Sequence, residues 1–229
     1  MRRPANRQAP ARCLRAIALT LGSLFLICST TTVASATVTS TNAVSDKEPL
    51  FAPCAACHGA RGEGNSTLNA PAIAGQDAVY IERQLRNFRN RRRGADNSDA
   101  PGIQMQAAAA ALTEAAIAKV ARYVASLPKT FVANPASGNL HNGNNLYQGK
   151  CGACHGGRAE GNPALNAPRL AGLDAGYLKR QFAQFRDGVR GTDPQDEPGR
   201  QMAMMAKTVT TEGDLDDIIA FIHQQGRPK

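Results

Sequence analysis

Tryptophan is absent from the 229 residues, and aromatic side chains make up only 5% of them. A chain so poor in large rings builds thin cores unless another group supplies apolar contact area. The apolar stretch at 16–28 is too short for the roughly 20 residues that a membrane helix needs. Nowhere do apolar and polar residues alternate convincingly with the two-residue period of a strand, so the fold class reads as all-α. Paired carboxylates, a Ser–His arrangement and a phosphate-cradling loop are all missing near the cysteine motifs. Hydrolytic and phosphoryl-transfer chemistry therefore find no support.

What stands at the N-terminus is an export signal. Arg2, Arg3, Arg7, Arg12 and Arg15 form a basic region without an acidic residue, followed by the apolar stretch and by Ala34-Ser35-Ala36, an A-x-A cleavage site. Residues 1–36 are expected to be removed and the remainder to be periplasmic. Leu26-Ile27 before Cys28 do not suit a lipoprotein signal. Loss of five Arg lowers the formal net charge from +9 to +4, too modest an excess to suggest a nucleic-acid partner. No transmembrane segment is expected in the mature chain.

Cys13 and Cys28 leave with the signal, so every remaining cysteine lies in one of two pentapeptides. These are Cys54-Ala55-Ala56-Cys57-His58 and Cys151-Gly152-Ala153-Cys154-His155. C-x-x-C-H is the attachment signature of c-type haem. Two thiols three residues apart can each form a thioether with one vinyl group of a porphyrin, and the following imidazole is held beneath the iron. Zinc ribbons usually place their pairs about 15–20 residues apart, whereas Cys151 lies 97 positions after Cys54. A redox dithiol would need a βαβ context and would not need the His. Two covalently attached haem c groups are expected, with Cys54, Cys57, Cys151 and Cys154 holding them and His58 and His155 ligating iron.

The 97-residue offset is that of an internal duplication. Residues 54–105 laid over 151–202 without a gap give 30 identities in 52 positions. Two repeats are too few for a solenoid, so two homologous domains are expected, at 37–133 and 134–229. Short helices should approach each C-x-x-C-H from Asp46 and Gly143. Asp77 and Asp174 are N-cap candidates for helices near 78–91 and 175–187. Gly and Pro then mark a loop up to Met105 and Met202. Thr113-Glu114 opens a helix with Ile117, Val120, Ala121 and Val124 on one face, ending before Pro128. Its counterpart runs from Thr211 through Leu215, Ile218, Ile219 and Ile222. The Pro-, Asn- and Gly-rich segment 127–145 reads as the linker between domains.

A His-ligated haem needs a group on its second face, and Met closes the site for electron transfer. Met105 is the only Met between Cys54 and the linker. Of Met202, Met204 and Met205, Met202 keeps the register: each candidate lies 47 positions after its His, with Pro-Gly-x-Gln before it. Met204 stays open as an alternative. His141, in the linker, and His223, near the end of the last helix, read as surface residues.

On these residues the chain resembles the dihaem cytochrome c4 family, over essentially the whole mature length. The resemblance rests on two C-x-x-C-H domains, each with Tyr-x-x-x-Gln, Phe-Arg, Arg-Gly and a late Met. It implies two tandem class I cytochrome c domains packed as a pair, haem propionate edges facing across the interface. It assigns the thioethers to the four cysteines, the proximal positions to His58 and His155, and the distal ones to Met105 and Met202. Pro71 and Pro168 match the proline whose carbonyl orients the proximal His. Tyr80, Gln84 and Arg93, with Tyr177, Gln181 and Arg190, become candidates for propionate or interface contacts; the alternative is helix-surface packing. The alanine run after Met105 departs from the pattern by offering little bulk beside the ligand.

The reading that follows is a periplasmic electron carrier, not an enzyme. It would pass electrons between a redox donor and acceptor of a respiratory chain, towards a terminal oxidase or another membrane-bound oxidase or reductase. Two alternatives remain: the cytochrome subunit of a periplasmic dehydrogenase complex, and a dihaem peroxidase or thiosulfate-oxidising enzyme. The last needs an open or thiolate-ligated iron, yet the mature chain has no spare Cys and its halves are nearly alike. Arg86, Arg89, Arg91, Arg92 and Arg93 are either a solvated, propionate-facing loop or a docking surface for an acidic partner. Asp214, Asp216 and Asp217 form a smaller acidic counterpart.

Overall fold

Most of the helices begin where a short polar side chain can satisfy free backbone N–H groups, the two that carry the C-x-x-C-H segments excepted. In the computed structural model, which describes residues 49–133 and 136–227, Asp77 Oδ1 accepts from the Tyr80 N–H at 3.0 Å and opens α2 (Ala78–Arg89). Asp174 does the same for α7 (Ala175–Arg186), accepting from Tyr177 at 2.8 Å. Thr113 caps α4 (Glu114–Ser126) and Thr211 caps α9 (Glu212–Gln225). Both helices bury the apolar faces expected of them. The C-x-x-C-H segments lie on α1 (Ala52–His58) and on α6 (Gly152–His155) with the residue before it. A 3-10 turn, Pro49–Phe51, leads into α1. The expected signal segment, the expected cleavage site after Ala36 and the expected helix start at Asp46 lie outside the described residues, as do 134–135 beside the expected domain boundary.

Two expectations need correction. The segments before Met105 and Met202 are not loop: they form α3 (Ala100–Ala109) and α8 (Glu197–Ala206), which carry the two methionines. Pro101 and Pro198 sit in the first turn, where the missing N–H costs nothing, and Asp99 and Asp196 cap from outside. The alanines after Met105 then continue α3 with the strongest helix former. The linker also ends sooner than expected, because Asn139 accepts from the His141 and Asn142 N–H groups and starts α5 (Leu140–Lys150).

No strand occurs among the described residues, only isolated bridges pairing Asn65 with Ala70 and Asn162 with Ala167. Among the same residues no helix is long and apolar enough to cross a membrane. In the first half Phe51, Ile81, Val120, Ala121 and Val124 pack together, with the Phe51 and Tyr123 rings 5.1 Å apart. In the second, α5 lies along α9 and buries Tyr147 against Phe221, again at 5.1 Å. The α5–α9 contact needs glycine: a Cβ on Gly143 would stand 1.9 Å from the Asp217 carbonyl oxygen. The described residues belong to one compact unit containing both halves.

Candidate functional site

Each half presents a buried imidazole held in one orientation. The His58 carbonyl accepts from the Gly64 N–H at 2.8 Å, and Gly64, at φ +87°, turns the chain back beneath the ring. A Cβ there would lie 2.5 Å from the Ala72 nitrogen, so only glycine allows so close a return. The turn brings the Pro71 carbonyl to 2.9 Å from His58 Nδ1, and the Pro168 carbonyl stands equally at 2.9 Å from His155 Nδ1. A carbonyl only accepts, so Nδ1 carries the proton and Nε2 keeps its lone pair for a metal. Burial pushes both imidazole pKa values down, against the raising effect of the proline carbonyls, so both rings are neutral at pH 7.

In the first half, His58, Cys54, Cys57 and Met105 line one cleft walled by Ile81, Leu85, Phe88 and Val120. Cys54 and Cys151 are half-buried and Cys57 and Cys154 exposed. Burial raises the Cys54 thiol and takes that of Cys151 up to about 11. Among the described residues no three or more His, Cys, Asp and Glu side chains cluster so that they could hold a metal ion. On α8, Met202 is half-buried, whereas Met204 is 64% exposed and Met205 41%. Two positions along a helix is about 200° of rotation, so Met202 and Met204 face opposite ways.

The cleft of the first half is closed in part by the second: Tyr177, Arg180 and Gln181 also line it. Across this boundary lies a ring of four buried side chains. Arg93 donates to Gln84 Oε1 and to Gln181 Oε1, both at 2.8 Å. Arg190 donates to the same two oxygens, at 2.9 Å and 2.5 Å. Each guanidinium thus bonds a glutamine of its own half and one of the other, and each stacks on a Phe of its own half, Phe88 or Phe185. Outside the ring, Arg83 donates to the Asn166 carbonyl and Arg180 to the Asn69 carbonyl. Burial and then the Arg93 charge hold the Arg190 pKa down; Tyr80, whose burial opposes ionisation, is nevertheless lowered by Arg190, Arg93 and Arg83.

Two buried like charges side by side are costly without anions. Nε of Arg93, Arg190, Arg83 and Arg180, and Nη1 of Arg83, are buried with no partner. Such orphaned N–H groups fit carboxylates, which the propionates of the expected haem groups would supply. The cysteines, imidazoles, apolar walls and orphaned arginines therefore fit the expected group.

Other expectations sort differently. Arg86 and Arg89 pair with Glu114, and Arg86 also with Glu82, while Arg93 is inside the ring; the five arginines do not form one exposed patch. Asp216 pairs with Lys179, and Asp217 accepts from the Asn139 N–H and the Asn142 amide within the second half. His223 contacts the Val132 carbonyl and Phe131, and exposed His141 lies beside Asn145. Sequence reasoning missed a further lock. The Gln76 amide exchanges two hydrogen bonds with the Arg169 backbone, at 2.9 Å and 3.0 Å, and the Arg169 guanidinium donates to the Ala74 carbonyl. The signal was a mismatch between repeats, since Leu173 and Ala72 stand at the equivalent positions.

The cytochrome c family model matches residues 48–128 and 140–226. Cytochrome c4 of Azotobacter vinelandii is 33% identical over 152 residues, covering 62% of this chain and 71% of the relative. The thiosulfate dehydrogenase electron acceptor of Stutzerimonas stutzeri is 33% identical over 163 residues, 66% and 71% of the two chains. The structure of Acidithiobacillus ferrooxidans cytochrome c4 superimposes with a TM-score of 0.63 at 27% identity, covering 76% of this chain and 98% of that one. With its attachment sites at Cys54/Cys57 and Cys151/Cys154, the chain binds two haem c covalently. It is an all-α member of the cytochrome c family and belongs, as an electron-transfer protein, to the dihaem cytochrome c4 group.

Proposed function

We propose that this chain is an exported, periplasmic electron carrier whose irons are ligated by His58 and Met105 in the first domain and by His155 and Met202 in the second. Haem supplies reversible one-electron chemistry when bound. The chain's part is to fix the ligands and set the surroundings. Pro71 and Pro168 hold each imidazole with its Nε2 lone pair available. The methionine thioethers are offered from α3 and α8, and apolar walls such as those around His58 would keep water from the metal. Arg93 and Arg190 would provide positive charge for carboxylates of the bound groups.

The observation that carries this reading is the likeness of the two sites. Each has a proline-held neutral imidazole and a Met 47 positions later. A division between a catalytic and a relay haem needs one of them to differ, so the likeness supports a relay through both towards a terminal oxidase or other membrane-bound partner. The test is an absorption spectrum of the oxidised and reduced holoprotein, with carbon monoxide added to the reduced form. Two haems per chain, a Met-sulfur-to-iron charge-transfer band and no carbon monoxide response are expected. Rapid carbon monoxide binding at either haem would overturn it.

The relatives that accept electrons from thiosulfate dehydrogenase favour a second reading, in which the donor is a periplasmic dehydrogenase. Co-purification with such an enzyme, and reduction of the holoprotein by it with thiosulfate, would distinguish this role from that of a free carrier.

A further inference from the structure

The two axial-ligand helices are anchored differently, and the difference lies at the interface. From the ring, Gln181 Nε2 donates to Gln184 Oε1 at 2.7 Å. Gln184 Nε2, in the second domain, donates across the boundary to Asp99 Oδ1 at 2.9 Å. That same oxygen accepts from the Gly102 N–H at 3.0 Å, so Gln184 fixes the N-cap of α3, six residues before Met105. One residue after Met105, Gln106 Nε2 donates to the Arg93 carbonyl at 3.1 Å. The segment bearing Met105 is therefore tied on both flanks to residues of the interface.

The second domain has neither tie. The position equivalent to Gln184 is Asn87, one methylene shorter; it is 2% exposed and its Nδ2 has no partner. The cap it would have to reach, Asp196, accepts from the Gly199 N–H at 3.3 Å. The position equivalent to Gln106 is Ala203, which cannot bond the Arg190 carbonyl through its side chain. Among the described residues only the Arg92 guanidinium reaches this region from the first domain by a hydrogen bond, an exposed one to Gln195 one residue before the cap, and neither the cap carboxylate Asp196 nor the flank of Met202 has a tie like those on α3.

We infer that Gln184 is a positioning residue for the Met105 thioether: the second domain, through this amide, holds the axial ligand of the first haem, with no equivalent restraint in return. The inference rests on the reading of Met105 as the distal ligand. Its physical basis is that a buried hydrogen bond to a carboxylate is worth more than an ordinary one, and that a helix start left loose lets its first turns move. The α3 surface after Met105 is alanine, which offers little packing to compensate.

The test uses oxidised holoprotein titrated with imidazole, a competitor for the Met position, while the charge-transfer band and the Soret shift are followed. M105L identifies which signal belongs to the first haem. In Q184N, which shortens the side chain to that of Asn87, and in Q184L, imidazole is expected to bind the first haem on the order of ten-fold more tightly. The second haem should be unchanged, with two haems per chain retained. An unaltered affinity at the first haem would overturn the inference, and so would an equal rise at both, which means general loosening. If M105L leaves the band intact, the ligand reading itself fails, and that outcome is told apart by this variant alone.

Discussion

The first domain packs five buried side chains around α2 and α4. The second builds a larger cluster in which α5 and α9 press Tyr147, Leu215, Ile218, Phe221 and Ile222 together. The sequences from C-x-x-C-H to Met are close to interchangeable, but what surrounds them is not. The second domain has the larger apolar cluster of its own, and the first, with the smaller one, is expected to lean more on haem and on its neighbour. Likeness at the site has been kept while the means of support diverged.

Blocking haem attachment one domain at a time should break this comparison most severely. In C54A/C57A, hydrogen-exchange protection is expected to disappear across α2, α3 and α4. In C151A/C154A, the α5–α9 pair should keep measurable protection, since its contact does not pass through the cleft. Equal loss in both would remove the distinction. A milder probe is Gly143→Ala, which forces a methyl against the Asp217 carbonyl. Overpacking of this kind costs about 1–3 kcal/mol, more than the helix propensity alanine returns. Thermal unfolding should show the loss.

Backbone strain offers a smaller pair of tests. Arg91 holds φ +58° where the other repeat has Gly188 at +78°. Nothing lies within 4 Å of a Cβ on Gly188, so Gly188→Ala reads backbone cost alone, about 1 kcal/mol of destabilisation. Arg91→Gly should change stability in the opposite direction by somewhat less, both read by denaturant midpoint. Smallest is a pH effect. Asp217 is lowered from its usual 3.8 by the Asn142 amide and the Asn139 N–H, and Glu114 from 4.5 by Arg89 and Arg86. A depressed carboxylate contributes stability above its unfolded pKa and loses it as pH falls through the folded value. D217N should flatten the fall in melting temperature below about pH 4, in the second domain only; an unchanged slope would mean the cap is not felt.

The parts legible in sequence were those repeated by chemistry or by period. C-x-x-C-H marked the cysteines, and the apolar spacing of Ile117, Val120, Ala121 and Val124 marked α4. Pro101-Gly102 misled because the same dipeptide suits a loop or a helix's first turn, and the choice depends on the Asp99 cap and the close pass of Gly94. Gln184, Gln76 and Arg169 were hidden for another reason: they stand where the repeats disagree, and the eye follows agreement. Polar residues that act across an interface leave no periodic trace.

The reciprocity of the boundary carries a historical meaning. Arg83 reaches the Asn166 carbonyl and Arg180 the Asn69 carbonyl; Arg93 reaches Gln181 and Arg190 reaches Gln84. Residue i touches j while the copy of i touches the copy of j, which is the rule of an isologous two-fold dimer. Such contacts are those a single-domain ancestor that paired with itself before the gene doubled would leave behind. Fusion then freed the copies to differ, and the one-sided Gln184 and Gln76 bonds are changes that a symmetric pair could not have made in one partner alone.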